Sequence, residues 1–445
     1  MAIEMSNPWI AGPIGLTAGA ILAWIATEYK NRKSYRQIVN LLMNSADDLA
    51  DRGEVDKAMS IYEDVLRHVP HPEPSVKGRI QLREGACRYN QSFEGATESN
   101  LEKSIQSYKD ALKVYDSQDH TTEHAQIQNR LGQVHFHLSQ IKDEGPNLRQ
   151  AIFAYEEALK FQTPGNRNHA EIENNLGDAY SRLAAIGNGE GYLNKAISAY
   201  EAALKFRTVE DYPEDYAQTQ SSLGQAYAAF AITSAPENDH KREELLTKAT
   251  NAYDAVLTIW TLEAQPEKYS ETKNNLGDAH RLLAQVLESQ ETDTPGLNAA
   301  RRVTELENAI SSYEEALKIR TLESNPGGYS KTQSNLGQIY AHLAEISASD
   351  PTASGTAATK NLGKAISSYE EALKVQTFES DPEEYAKTQN SLGQAYRKLS
   401  EHENREENMN RALKAYEEAL KAKSGDVPKK TKAGLPPAIE KTAEE

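Results

Sequence analysis

Eight copies of one helix-forming segment recur along the chain, and each is centred on a tyrosine. The tyrosines are Tyr62, Tyr108, Tyr155, Tyr200, Tyr253, Tyr313, Tyr369 and Tyr416. Alanine stands four residues before each of them, except at Ser104, and a small and a large aliphatic residue follow, as in Ala158 and Leu159. Apolar residues at this spacing lie on one face of an α-helix. Recurrence at this length predicts an all-α solenoid, and solenoids usually bind rather than catalyse.

A second segment alternates with the first and carries a Leu-Gly pair. The pairs are Leu131-Gly132, Leu176-Gly177, Leu223-Gly224, Leu276-Gly277, Leu336-Gly337 and Leu392-Gly393. Glycine inside a helix costs about 1 kcal/mol relative to alanine. Its recurrence at one position predicts that this helix approaches a neighbour so closely that a Cβ atom would clash. Each repeat is therefore predicted to consist of helix A, which carries the Leu-Gly pair, and helix B, which carries the tyrosine.

The first repeat resembles the tetratricopeptide repeat (TPR). The residues that match the small, small, small, aromatic, small and proline positions of that pattern are Ala46, Gly53, Ala58, Tyr62, Val65 and Pro70. Later repeats are longer and place asparagine before Leu-Gly, which resembles the kinesin-light-chain type. The resemblance implies a right-handed superhelical α-solenoid of about eight helix pairs with a concave binding groove. The array is predicted at residues 37–423, with repeats at about 37–70, 78–115, 123–162, 169–207, 213–260, 266–320, 326–376 and 382–423.

An uncharged stretch from Met5 to Thr27 predicts a membrane anchor, because a helix of this length spans about 34 Å. The predicted regions are a flank at 1–8, a transmembrane helix at 9–29 and a basic juxtamembrane segment at 30–36. The positive-inside rule then places the N-terminus outside and the repeats in the cytoplasm.

Other interpretations of this stretch are weaker or remain open. A signal peptide or a mitochondrial presequence would carry basic residues before the apolar stretch, where this chain has Glu4. A buried capping helix stays open, because Pro8 and Pro13 dilute the hydrophobicity. Small residues recur every fourth position and predict close packing against another membrane helix, from a partner or a second copy. These residues are Ala11, Gly15, Gly19 and Ala23.

Composition excludes several functions. The net formal charge is −17, which opposes binding to the phosphate backbone of nucleic acids. The single cysteine, Cys87, excludes an intramolecular disulfide bond. No catalytic constellation stands out, so we expect no enzyme and no cofactor. His120 and His124 are spaced for one helix face, but no carboxylate or cysteine completes a metal site at that spacing.

The distance between the two helices of a repeat is longer in three repeats, and a tail follows the last repeat. Polar insertions at 234–243, 288–297 and 347–359 are predicted to be surface loops. Residues 424–445 are predicted to be a disordered tail rich in proline and lysine. Ala422 replaces the Val, Ile or Phe that the second to seventh repeats present to their successors, and this predicts a capped end.

Polar side chains cluster around the Leu-Gly pairs, where helix A of a TPR lines the groove. A carboxamide has both a donor and an acceptor and therefore matches a peptide backbone. The predicted peptide-binding residues are Asn129, Gln133, Asn174, Asn175, Asp178, Gln225, Asn274, Asn275, Asp278, Asn335, Gln338, Asn390 and Gln394. The alternative is that these amides tie helix A to its neighbours.

The sequence thus predicts a membrane-anchored scaffold or adaptor that binds a protein or an extended peptide in its groove. The alternative function is a structural or assembly subunit of a membrane protein complex, with the anchor packed against other membrane helices.

Overall fold

The structure, a computed structural model, describes residues 32–68, 73–162, 164–187, 189–234, 238–290, 297–349 and 355–424. This part of the chain contains sixteen α-helices and no β-strand. The chain divides into two compact units, Met1–Thr233 and Ser234–Glu445. The prediction of an all-α chain built from helix pairs is confirmed.

In the first unit the structure describes nine helices, which alternate between helix A and helix B. They are α1 (Arg32–Asp51), α2 (Val55–His68), α3 (Pro74–Gln91), α4 (Thr97–Leu112), α5 (Thr121–Ser139), α6 (Glu144–Leu159), α7 (Arg167–Ile186), α8 (Gly189–Leu204) and α9 (Pro213–Thr233). The described part of the second unit continues with seven helices. They are α10 (Asp239–Leu257), α11 (Pro266–Ser289), α12 (Leu297–Leu317), α13 (Pro326–Ser349), α14 (Gly355–Leu373), α15 (Pro382–Leu399) and α16 (Arg405–Ser424).

The glycine of helix A contacts the tyrosine ring of helix B, as the sequence predicted. A Cβ atom placed on Gly177 would lie 2.6 Å from Cε1 of Tyr200, and one on Gly277 would lie 2.7 Å from Cε1 of Tyr313. The same contact joins Gly85 and Tyr108, Gly132 and Tyr155, Gly337 and Tyr369, and Gly393 and Tyr416. The tyrosine ring therefore fills the space that any larger residue would need.

Two glutamates follow the helix B tyrosine in four of the eight predicted repeats, and the first and the second contact different helices. The first glutamate accepts a hydrogen bond from helix A of the next pair, as between Tyr396 and Glu370 at 2.7 Å. The second accepts one from helix A of its own pair, as between Tyr329 and Glu371 at 2.8 Å. Bonds of the first kind also join Tyr180 to Glu156, Tyr227 to Glu201 and Tyr340 to Glu314. Bonds of the second kind also join Tyr269 to Glu315 and Tyr385 to Glu418.

α13 and α15 each begin with a proline that is preceded by a capping residue. Asp381 accepts a hydrogen bond from the backbone N–H of Glu384 at 3.1 Å. Asn325 accepts one from the N–H of Gly328 at 2.9 Å. Each cap satisfies an N–H group that the helix itself leaves without an acceptor.

The insertions differ from the prediction, because much of their length is helical. α11 and α13 both extend through 24 residues and end at Ser289 and Ser349. Apolar positions explain the extension of α11, since Val286 and Leu287 are fully buried. Polar residues of two insertions also contact each other, since Nε2 of Gln290 donates a hydrogen bond to Glu243 at 3.2 Å.

The predicted membrane localisation is wrong. Among the described helices, none combines the length and the apolar composition needed to cross a membrane. The predicted transmembrane helix at 9–29 and its stripe of Ala11, Gly15, Gly19 and Ala23 lie outside the described residues. The predicted basic segment at 30–36 overlaps the start of α1, which begins at Arg32. Arg36 in this helix forms an ion pair with Glu73, which directly precedes α3.

The end of the described array also differs from the prediction. Ala422 is buried, with 8% of its surface exposed, so it does not form the outer face of α16. Leu413 and Leu420 occupy that face and are 54% and 66% exposed. Residues 425–445 of the predicted tail lie outside the described residues.

Candidate functional site

Two of the predicted groove residues in the first unit, Asn174 and Asp178, belong to a buried network of hydrogen bonds. Oδ1 of Asn174 accepts a hydrogen bond from the hydroxyl of Thr219 at 2.9 Å, and Nδ2 of Asn174 donates to Asp178 at 3.2 Å. The hydroxyl of Tyr200 donates to Asp178 at 2.7 Å, and Arg207 donates to Thr219 at 2.8 Å. The network links α7 to α8 and α9, so Asn174 and Asp178 tie helix A to its neighbours.

Burial changes the acidity of this network. It raises the pKa of the Asp178 carboxyl group to about 6, although hydrogen bonds from Tyr200 and Ser222 act in the opposite direction. Burial also lowers the pKa of Arg207. A carboxylate in this environment loses solvation that its hydrogen bonds only partly replace.

The second unit contains an equivalent network. Oδ1 of Asn274 accepts from the hydroxyl of Thr332 at 2.8 Å, and Nδ2 of Asn274 donates to Asp278 at 3.1 Å. Asp278 also accepts from Tyr313 at 2.6 Å and from Nδ2 of Asn335 at 2.9 Å. Sequence reasoning missed the threonines, although Thr219, Thr272, Thr332 and Thr388 all stand four residues before a Leu-Gly pair.

The remaining predicted residues lie closer to solvent. Gln225, Gln338 and Gln394 are exposed. Asn129, Gln133, Asn175, Asn275, Asn335 and Asn390 are partly buried. Gln133 donates to Glu171 at 3.2 Å, which again connects helix A of one pair to helix A of the next.

A cleft of about 560 Å³ lies between α13 and α15 in the second unit. Its polar lining includes two of the predicted groove residues, Asn335 and Gln338. The other lining residues are Gly327, Ser330, Lys331, Ser334, Tyr369, Val375, Gln376, Ser380, Asp381, Glu384, Lys387, Thr388 and Ser391.

The floor of this cleft is a reduced form of the two networks. Thr388 donates to Oε1 of Gln376 at 2.7 Å, and its hydroxyl lies 3.3 Å from that of Ser334. Ser334 stands where the other networks have Asn174 and Asn274, so a shorter side chain occupies this position. The smaller side chain leaves space between α13 and α15.

Glycine opens the mouth of the cleft. α13 begins Pro-Gly-Gly-Tyr, whereas α15 begins Pro-Glu-Glu-Tyr and α11 begins Pro-Glu-Lys-Tyr. Gly327 lines the cleft, and a Cβ atom built on it would meet nothing within 4 Å. The wall therefore lacks a glutamate side chain that the neighbouring repeats carry at this position.

Of the two lysines that line the cleft, one has ion-pair partners and the other has none among the described residues. Lys387 lies 2.8 Å from both Glu383 and Glu384. Lys331 is exposed and forms no ion pair with the residues that the structure describes. Gln338 is likewise exposed and makes no hydrogen bond within the described part of the chain. One cation and one carboxamide thus remain available to a ligand.

Two of the described histidines contact side chains of other residue types. His135 is bonded to Asn147 at 3.0 Å, and His137 lies 2.8 Å from the hydroxyl of Tyr89. In the described ranges, no group of three or more His, Cys, Asp or Glu side chains is arranged to hold a metal ion.

Comparisons with known proteins agree with the repeat architecture. The family model for the tetratricopeptide repeat matches residues 386–424. A search of curated proteins finds no match.

Several solved structures resemble the chain. The C-terminal part of a TPR repeat-containing protein from Cytophaga hutchinsonii is 14% identical, with a TM-score of 0.43, and the match covers 79% of this chain and 99% of that one. The nuclear import adaptor Nro1 from S. pombe is 14% identical with a TM-score of 0.44, over 67% of this chain and 94% of that one. BtubC from P. vanneervenii is 18% identical with a TM-score of 0.37, over 66% and 99%.

Residues 386–424 contain most of α15 and all of α16, and their Gly-Tyr contact recurs in earlier helix pairs of both units. The described part of the chain is therefore an all-helical repeat array whose eighth predicted pair matches the tetratricopeptide repeat model.

Proposed function

We propose that this chain is a protein-interaction scaffold and that the cleft between α13 and α15 binds an extended peptide. The observation that carries the proposal is the open cleft between α13 and α15, whose lining includes Lys331 and Gln338 without partners among the described residues. A peptide backbone presents donors and acceptors in alternation, and the Gln338 carboxamide can satisfy one of each. Lys331 favours a peptide that carries a carboxylate near this point.

The start of α13 supports the same proposal. Glutamate at the position of Gly327 would project into the cleft and repel an acidic peptide, and only this one of the three compared helix starts lacks it. Because a Cβ atom on Gly327 meets nothing within 4 Å, filling this position should not disturb the fold.

The other predicted groove residues take different places in the proposal. Asn174, Asp178, Asn274 and Asp278 hold adjacent helices together, so substituting them would weaken the fold as well as any binding. Asn335 also bonds to Asp278, so Gln338 and Lys331 are the residues whose substitution best separates binding from folding.

The test is selection of random linear peptides displayed on phage against the full chain. Peptides retained by the native chain should lose roughly tenfold or more in affinity for Gly327→Glu. Gln338→Ala and Lys331→Ala should also weaken binding. The matched control is Gln394→Ala, because Gln394 has the same register in α15 but does not line the cleft.

Thermal denaturation monitored by circular dichroism should show that Gly327→Glu is as stable as the native chain. A glutamate in the first turn of a helix is favourable to the helix dipole. Equal affinity of the selected peptides for the native chain and for a folded Gly327→Glu variant would refute the cleft as the binding site.

A further inference from the structure

α16 exposes a stripe of large apolar side chains. Met409, Leu413 and Leu420 are 36%, 54% and 66% exposed. Their spacings of four and seven residues place them on the same face of the helix. An exposed apolar face of this kind indicates a contact surface.

The same positions are buried in the preceding pair. Leu362 corresponds to Met409 and is 1% exposed, and Ile366 corresponds to Leu413 and is 7% exposed. Leu373, which corresponds to Leu420, is packed against the hydrophobic core of the second unit. These positions therefore form the face on which helix B packs against the next helix A. Nothing among the described residues covers this face on α16.

The charges of α16 are arranged in two opposite groups. Glu406 and Glu407 lie in its first turn, and Lys421 and Lys423 lie in its last turn. All four are exposed. Lys421 contacts Glu418 at 2.8 Å, and Glu407 contacts Arg411 at 2.5 Å. Exposed pairs of this kind contribute little and can exchange partners.

This arrangement is complementary to itself when two copies run antiparallel. A two-fold axis between residues 414 and 415 would place Met409 opposite Leu420 of a second copy, since the two lie at equal distances from the axis. The same axis would place Glu406, which flanks the stripe, opposite Lys423 of the second copy at both ends. A face that matches itself in this way is what an isologous interface requires.

We propose that the exposed face of α16 binds α16 of a second copy of this chain, so that the protein forms an antiparallel, two-fold symmetric dimer. A single helix face is smaller than the roughly 800 Å² per partner that stable complexes bury. The dimer is therefore expected to be reversible, with a dissociation constant in about the micromolar range.

The first test is analytical ultracentrifugation of the full chain over a range of concentrations. Leu413→Arg and Leu420→Arg should each raise the dimer dissociation constant by roughly tenfold or more. The matched control is Phe153→Arg on α6, because Phe153 is 57% exposed and lies outside the proposed interface. This control should dimerise like the native chain. Circular dichroism should show native helicity for all three, because the substituted side chains are exposed.

The second test exchanges the charges. Glu406→Lys should weaken the dimer, because the new lysine would then meet Lys423 of the second copy at each end. Lys423→Glu should weaken it for the opposite reason. A mixture of the two variants should form heterodimers, because complementary charges then meet at both ends.

Three results would overturn the proposal. The native chain could remain monomeric at concentrations well above the micromolar range, or the Leu413→Arg variant could dimerise as strongly as the native chain. The dimer could also appear only after residues 425–445 are removed, which would show that this segment covers α16 in place of a second copy.

Discussion

Replacing Thr332 with valine tests whether the buried network holds α11 to α13. Thr332 is completely buried, Asn274 is 3% exposed, and the hydrogen bond between them is 2.8 Å long. Valine has nearly the same shape as threonine but leaves Oδ1 of Asn274 without this donor. Losing the bond and leaving a buried acceptor unsatisfied should cost about 2 kcal/mol in total.

The matched control is Thr304→Val on α12. Its hydroxyl is exposed and bonds only to the backbone carbonyl of Ala300 at 3.1 Å. Water can replace that bond, so the control should change the stability by less than about 0.5 kcal/mol.

Hydrogen exchange measured by mass spectrometry on the full chain gives the readout, because repeat arrays often do not unfold in one two-state step. A cost of about 2 kcal/mol corresponds to roughly 30-fold faster exchange in peptides from α11 and α13. Peptides from the first unit serve as the internal reference. The reasoning would be refuted if Thr332→Val exchanged no faster in these helices than Thr304→Val.

Three further predictions concern single positions. Gly277→Ala should destabilise the second unit by roughly 1–3 kcal/mol in urea denaturation, because the new Cβ would meet the Tyr313 ring. Gly363→Ala should stabilise the unit by up to about 1 kcal/mol in the same assay, because a Cβ atom there meets no other atom within 4 Å. The raised pKa of Asp178 means that its contribution to stability is greatest below the unfolded pKa and falls as pH rises toward about 6, so Asp178→Asn should flatten this part of the pH-stability profile. Asp381→Ala should cost about 1 kcal/mol and speed amide exchange in the first turn of α15.

Features that repeat at fixed spacing could be predicted from the sequence. The glycine before the helix A aromatic residue implied a close contact, and Gly177 meets the Tyr200 ring as expected. Asn and Asp favour the capping position, and Asn325 and Asp381, each directly before a proline, cap the helices that follow them. Such local rules depend on neighbouring residues, so the sequence carries them completely.

Features that depend on neighbouring repeats could not be predicted in the same way. The predicted peptide-binding residues around the Leu-Gly pairs suggested one role for the whole set. Asn274, however, bonds to Thr332, which lies 58 residues away, whereas Gln338 faces an open cleft. The two residues also differ in their place on helix A, since Asn274 stands two residues before the leucine of its Leu-Gly pair and Gln338 stands two residues after. Likewise, the insertions looked like loops by their polarity, but burial of Val286 and Leu287 extends α11 into one of them.

The two glutamates of helix B bond to different helices, and this affects the cooperativity of unfolding. In a nearest-neighbour description of repeat proteins, each repeat has an intrinsic stability, and each junction between repeats has a separate coupling energy. Glu371 bonds within its pair and therefore contributes to the intrinsic term, whereas Glu370 bonds to the following pair and contributes to the coupling term. Substitutions at these adjacent positions can thus change how firmly a repeat folds and how sharply neighbouring repeats unfold together, independently of each other.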